Sequence, residues 1–373
     1  MVPDIRNAEL MSVGIDEVVV TFATDDSDAV VTRVGDREVT TSGPYHVAHV
    51  DGLEPDTRYE LGVEGAASDE YLPAELRTLA RPEGRLLATV ATANDVHFGE
   101  TECGRLGNAL EEELGPVFSS EPGEPPYPET MNAAVIAEMV ELDPDVVVVK
   151  GDLTNEGTDE EYAAFLAAYG KLGDRMYHVR GNHDAMHDPT IAADDAPFTV
   201  ELDGITLAVL DTVIPRLERG QITHHQLAWL DELAAETPGP LMVLGHHHMW
   251  DLDADHRSET YFGINPDDSE ALATIVARRE NIAGYFAGHT HRNRIRRFSQ
   301  ARNVPFGEIA CTKDYPGAWA EYRFYDGGYT QVVRRTAAPE AMAWTEKTRA
   351  MFAGLYRDYA LGPLEHRCFT QTF

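Results

Sequence analysis

Two hydrophobic periods divide the chain. Within residues 1–80, short runs alternate apolar and polar positions: Glu17–Thr24, Val30–Val34, Tyr45–Val50 and Arg58–Val63. Asp, Gly and Pro turns separate them and no helical period appears, which predicts a small all-β sandwich. From Arg85 onward, apolar runs of strand length stand at Leu86–Thr92, Val146–Val149, Met176–Val179, Leu241–Leu244 and Ile282–Phe286. Between them, apolar residues recur at helical spacing over Met131–Leu142, Glu160–Leu172, Gln226–Ala235 and Ser269–Arg279. Further strands are expected at Phe306–Ala310, Glu321–Tyr325 and Tyr329–Val333, and a mostly helical tail over 337–373. Alternating strands and helices argue an α/β architecture for residues 85–336, with Arg81-Pro82-Glu83-Gly84 as the linker. No internal repeat is evident.

Each of the five central apolar runs is followed by a short polar motif. These read Asp95-Val96-His97, Gly151-Asp152, Gly181-Asn182-His183-Asp184, Gly245-His246 and Gly288-His289-Thr290-His291. Seven of the 15 histidines lie in or beside them. Any one motif occurs by chance, but the ordered set brings Asp, Asn and His side chains from several strand ends to one sheet edge. Imidazole, carboxylate and amide oxygen together suit a two-metal hydrolytic centre. Asp95 and His97 alternate on one strand end and can reach one ion, while Asp152 stands alone and a single carboxylate can bridge two. Asn182 offers a neutral oxygen, and His246, His289 and His291 complete the set. The glycines before these residues let the backbone turn tightly.

On these motifs, residues 86–335 resemble the calcineurin-like metallophosphoesterases. The resemblance implies a four-layer αββα sandwich, here preceded by the small all-β domain. It implies that Asp95, His97, Asp152 and His291 hold one ion, and that Asp152, Asn182, His246 and His289 hold the second. His183 then matches the histidine that contacts phosphate and protonates the leaving group, with Asn182 assisting at the phosphoryl oxygens. The expected reaction is in-line hydrolysis of a phosphoester by a metal-bridging hydroxide.

The style of Gly151-Asp152-Leu153-Thr154-Asn155-Glu156-Gly157, of Gly181-Asn182-His183-Asp184, and of Gly220 with Gln226-Leu227-Ala228-Trp229-Leu230 is similar to the cyclic nucleotide and glycerophosphodiester phosphodiesterases. Purple acid phosphatases match less well. They carry a tyrosine ligand where this chain has Asn155, so no tyrosinate–iron colour is expected. The subgroup's usual His-His-Pro-Pro is replaced by His246-His247-His248-Met249, which alters the pocket wall and makes His247 and His248 candidates for substrate contact. Specificity is expected in the Trp250–Asn265 segment, with His256, Arg257, Tyr261 and Phe262, and in the long Gly99–Glu129 stretch, read as a lid or a passive insertion. Leu53-Glu54-Pro55-Asp56-Thr57-Arg58-Tyr59 resembles a fibronectin type III signature, making Tyr59 a structural corner residue.

Charge narrows the partners. With 64 acidic against 30 basic residues, the net charge is −34, a field that disfavours nucleic acid polymers and anionic membranes; solvation in a salt-tolerating organism is its simplest cause. A small phosphoester would be drawn by the metals instead. Mn, Fe, Zn and Co all suit the ligands. No run is long enough to span a membrane. Met1-Val2-Pro3-Asp4 shows no signal peptide, as a processed form also would not, and Cys103, Cys311 and Cys368 read as free thiols, so a cytoplasmic location is expected. Three other readings stay open: a phosphomonoesterase, a nucleotide pyrophosphatase, and an adhesion protein with a vestigial enzyme domain. A homo-oligomer formed through the sandwich is also left open.

Overall fold

The computed structural model describes residues 4–25, 29–105, 115–193 and 196–373. Its N-terminal part holds two antiparallel sheets. One orders β1 (Arg6–Val13), β2 (Val18–Ala23) and β5 (Tyr45–Val50); the other orders β4 (Arg37–Ser42), β3 (Ala29–Val34), β6 (Arg58–Val63) and β7 (Glu75–Arg77). Alternate residues such as Val18, Val20, Val30, Val34, Leu61 and Val63 close a core between the two sheets. The Glu54 amide donates to the Tyr59 hydroxyl at 2.9 Å, so this tyrosine locks its own upstream turn. Strands β1, β4 and β7 escaped the periodicity reading, because polar and charged positions interrupt them.

Two six-stranded mixed sheets follow. The first orders β10 (Met176–Val179), β9 (Val146–Lys150), β8 (Leu86–Ala93), β17 (Ala318–Tyr325), β18 (Gly328–Arg335) and β19 (Cys368–Thr372). The second orders β11 (Phe198–Leu202), β12 (Ile205–Val209), β13 (Leu241–Leu244), β14 (Ile282–Ala287), β16 (Pro305–Glu308) and β15 (Arg294–Arg297). Strands β8, β9 and β10 run parallel, as do β12, β13, β14 and β16. Parallel strands are covered on both faces, and their sequences read as unbroken apolar runs for that reason.

The strand period assigns each residue to a layer. Val146 and Val148 join Met242, Leu244 and Phe286 in the core between the sheets. Val147 and Val149 turn outward onto α1 (Tyr127–Leu142) and α2 (Asp159–Tyr169). Leu241 and Val243 turn outward onto α3 (His224–Glu236) and α4 (Pro266–Arg278). The result is the expected αββα stack. The last segment departs from a simple helical tail: after α5 (Pro339–Thr348), α6 (Tyr356–Leu361) and α7 (Leu364–Arg367), the chain ends in β19, paired with β18. Of the 99–129 stretch, residues 106–114 lie outside the described residues; the remainder carries a Cys103–Phe118 bridge and enters α1 at Tyr127. Cys103, Cys311 and Cys368 are free and buried. Among the described residues, no helix is long and apolar enough to cross a membrane.

Candidate metal centre

Every motif emerges at the C-terminal end of a parallel strand, where open α/β sheets place their ligands. β8 delivers Asp95 and His97, β9 Asp152, β10 Asn182 and His183, β13 His246, and β14 His289 and His291. The loops are tightly drawn. Asp95, His97, Asp152, His289 and His291 all have positive φ, between 45° and 70°, a region costly for side-chain-bearing residues and found mainly where surrounding structure enforces it. Gly181 shows why the motif demands glycine: a Cβ there would lie 2.2 Å from Asp152 Oδ1.

Asp152 sits between two imidazoles. Its Oδ2 is 3.5 Å from His97 Nε2, and its Oδ1 is 3.3 Å from His246 Nε2. Asn182 Oδ1 is 3.1 Å from His246 Nε2. On the other side, His291 Nε2 lies 3.4 Å from Asp95 Oδ1. Backbone carbonyls fix the tautomers. His246 Nδ1 donates to the Lys150 carbonyl at 2.9 Å, His183 Nδ1 to that of Asn155 at 2.6 Å, and His289 Nε2 to that of Phe262 at 3.0 Å. The opposite nitrogen of each ring is therefore left to serve as a ligand or to meet a substrate. Asn155 spends its carbonyl on His183, and its side chain donates to Glu156.

The residues fit a metal pair on their own chemistry. His97 is buried, and among the described residues neither of its ring nitrogens has a hydrogen-bond partner, an arrangement buried polar groups avoid unless a ligand completes it. Burial lowers His97 and His289 well below the usual imidazole range. Burial acts the same way on His246 but is outweighed by the Asp152 carboxylate, which raises it to about 9; Asp95 likewise raises His291. Burial would push Asp152 up, but His246 and His183 hold it well below the carboxylate range. A cation bound here would have to displace protons from His246 and His291.

Other groups carry no obvious local signal. Asp184 accepts from the Gly181, Leu153 and Thr154 amides and from the Thr154 hydroxyl, at 2.7–3.1 Å, and so staples two ligand loops together. Lys150 is buried, and its ammonium donates to the Ala287 carbonyl at 2.8 Å, joining the two sheets under the site. Burial brings that ammonium down to about 7. A cavity of about 380 Å³ opens over the centre, lined by His97, Asp152, Asn182, His183, His289 and His291. Phe262, Lys313, Tyr356 and Tyr359 line it as well.

The remaining expected contacts stand apart from that lining. His247 is buried, with Nδ1 2.8 Å from the Thr212 hydroxyl and Nε2 donating to the Glu218 carbonyl. His248 is half-buried, its ring stacked 6.0 Å from that of His289. Arg257 pairs with Asp267 and Glu270 on the surface; His256 is exposed beside it. Tyr261 stacks under Arg219. From this segment, Phe262 reaches the cavity.

Residues 88–293 match the calcineurin-like phosphoesterase family model. The chain belongs to this family. Its members use a dinuclear metal centre, and the His and Asp groups of this phosphoesterase supply candidate ligands. It is 25% identical over 168 residues to a probable cyclic nucleotide phosphodiesterase of a Synechococcus strain, 43% of the chain and 62% of that relative. The chain thus spans under two-thirds of this relative's length. It is 26% identical over 253 residues to the glycerophosphodiester phosphodiesterase GpdQ of Enterobacter lignolyticus, 63% of the chain and 89% of that relative. Among solved structures, a dimetal phosphatase from Danio rerio superposes with a TM-score of 0.50 at 13% identity, over 68% of the chain and 98% of that structure; this likeness shows the fold.

Proposed function

We propose that this phosphoesterase is a dinuclear-metal phosphodiesterase acting on a small diester of the cyclic nucleotide or glycerophosphodiester type. The observation that carries the reading is the convergence of five ligand-type side chains, His97, Asp152, Asn182, His289 and His291, with His183, on one cavity of about 380 Å³, a volume suited to a small molecule; Asp95 and His246 stand against His291 and Asp152. Asp95, His97, Asp152 and His291 would hold one ion; Asn182, His246 and His289 would hold the other, with Asp152 shared. When bound, two such ions polarise a phosphoryl group and lower the pKa of water.

The chain's own groups do the rest. His183 Nδ1 is tied to the Asn155 carbonyl, which leaves Nε2, when the ring is in its doubly protonated form, to give its proton to the departing alkoxide, the difficult step for a diester. Asn182 can orient a phosphoryl oxygen through its amide. Phe262 and Tyr359 close the cavity and shed water from the substrate's organic part. The relatives' names agree with diesters, cyclic nucleotides in one case and glycerophosphodiesters in the other.

Turnover of bis-aryl against mono-aryl phosphate, by protein loaded in turn with Mn, Co, Zn and Fe, tests the proposal. Preference for the bis-aryl ester supports it. Hydrolysis of the mono-aryl ester alone would move the chain to the phosphomonoesterases. Absence of any diester turnover overturns it.

A further inference from the structure

Three consecutive residues, Lys313, Asp314 and Tyr315, connect the cavity, a metal-site histidine and the N-terminal sandwich. Lys313 lines the cavity, its ammonium 2.5 Å from Glu100 Oε2. Asp314 stands behind His291: its Oδ2 lies 3.9 Å from Nδ1, while the Nε2 of the same ring faces Asp95. Asp314 is itself fixed, accepting from the Tyr356 hydroxyl at 2.7 Å and the Cys311 thiol at 2.9 Å. The Tyr315 hydroxyl donates to Glu9 Oε1 at 2.8 Å.

Glu9 belongs to β1 of the sandwich and is 0% exposed. It receives Arg349, Arg357 at 2.7 Å and Arg335 at 3.4 Å. Arg349 and Arg357 bracket the segment that carries Tyr356, and Tyr356 returns to Asp314. One buried carboxylate from the sandwich thus holds both supports of the turn: the next residue along the chain, and the helix whose tyrosine grips Asp314. Carboxylates behind ligating imidazoles set ring orientation and raise ligand basicity.

We propose that Asp314 is a positioning residue for His291, and that Glu9, through Tyr315 and the Arg349–Arg357 segment, sets its place. The sandwich is then part of the metal centre's scaffold rather than an appendage. This rests on the dinuclear reading above.

Calorimetric titration of metal-free, full-length protein with Mn²⁺ tests it. Asp314→Asn should weaken one of the two sites by about 10–100-fold and spare the other. Glu9→Gln should weaken the same site by a smaller factor, and the double variant should bind no more weakly than Asp314→Asn alone, since coupled residues are not additive. Val20→Ala, in the sandwich core, lowers the melting temperature without touching the network and should leave both affinities unchanged. If Glu9→Gln does not fold, Tyr315→Phe removes the single hydroxyl link and serves the same comparison. Wild-type affinities in Glu9→Gln or Tyr315→Phe, or additive losses in the double variant, overturn the proposal. Wild-type protein that binds no pair of ions overturns the metal reading, and this inference with it.

Discussion

The floor of the cavity, made by strand-end residues, and the wall that completes its lining are built in different ways. On the floor, side chains leave the strand ends within a few residues of the last ladder pairs, Ala93 with Val149, Val179 with Lys150 and Leu244 with Phe286. Their loops are pinned by amides and glycines, with five residues held at positive φ. The wall comes from three distant segments at Phe262, Lys313 and Tyr356–Tyr359, and each is placed by packing and ion pairs. The floor is held chiefly by its own loops, as strained ligand positions require, with Asp314 as a support behind His291. The wall depends on long-range contacts. We propose that reaction type belongs to the floor and selectivity to the wall.

The strongest break in that contrast is Asp152→Ala. It removes the carboxylate between His97 and His246, and it should cut turnover by at least ~10³-fold, since groups that act as a unit fail together. Metal analysis should show the coupling of two ions lost. Retained turnover would remove Asp152 from the centre.

Next in size is Asp184→Ala, which leaves the buried amides of Gly181, Leu153 and Thr154 without their acceptor. Each orphaned buried donor costs about 1–3 kcal/mol. A stability loss of about 4 kcal/mol in urea unfolding is expected, with metal affinity falling in parallel. A loss confined to stability would show that the ligand loops hold their shape without the staple.

This asymmetry explains how much was legible in the sequence. Floor residues such as Asp95 and His246 stand next to apolar runs whose period sets their position, so the motifs could be read in order. The same runs argue only alternating strands and helices; the αββα layering is implied by the family resemblance that the motifs carry. Lys313 and Tyr359 carry no local mark, because nothing near them in sequence says which cavity they meet. His247 shows the converse: adjacent to a ligand in sequence, it turns its ring nitrogens to Thr212 and Glu218. Arg257 stood in the expected segment, yet surface carboxylates claim it. Strand β19 was read as tail because its sequence, Cys368-Phe369-Thr370-Gln371-Thr372, is short and half polar, and only pairing with β18 makes it a strand.

The joint between sandwich and wall should reveal itself in acid. Burial would raise the Glu9 carboxyl, but Arg349, Arg335 and Arg357 overcome it and hold it at about 2 against an ordinary 4.5. A group depressed in the folded state contributes stability that is complete above its unfolded pKa and lost as pH falls through the folded one. On the order of 3 kcal/mol should disappear as pH drops from 4.5 toward 2. Melts of wild type and Glu9→Gln across that range check it. The variant should start less stable and lose less, and parallel curves would mean that Glu9 does not titrate as described.

The smallest expected effect isolates the wall. Phe262 is 50% exposed, and its ring stacks on that of His289 with centroids 4.0 Å apart. Its carbonyl, not its ring, accepts from His289 Nε2. Phe262→Ala keeps that carbonyl and hence the imidazole's orientation, but removes the apolar face offered to the substrate's organic part. Losing one partly buried aromatic contact is worth about 1 kcal/mol, so KM for an aryl or nucleotide diester should rise about fivefold with kcat nearly unchanged, the pattern of lost uniform binding. A diester with a small alkyl group should register less of the change. If kcat falls instead, the ring steadies His289 and belongs to the floor, and the line drawn between chemistry and selectivity must move to include it.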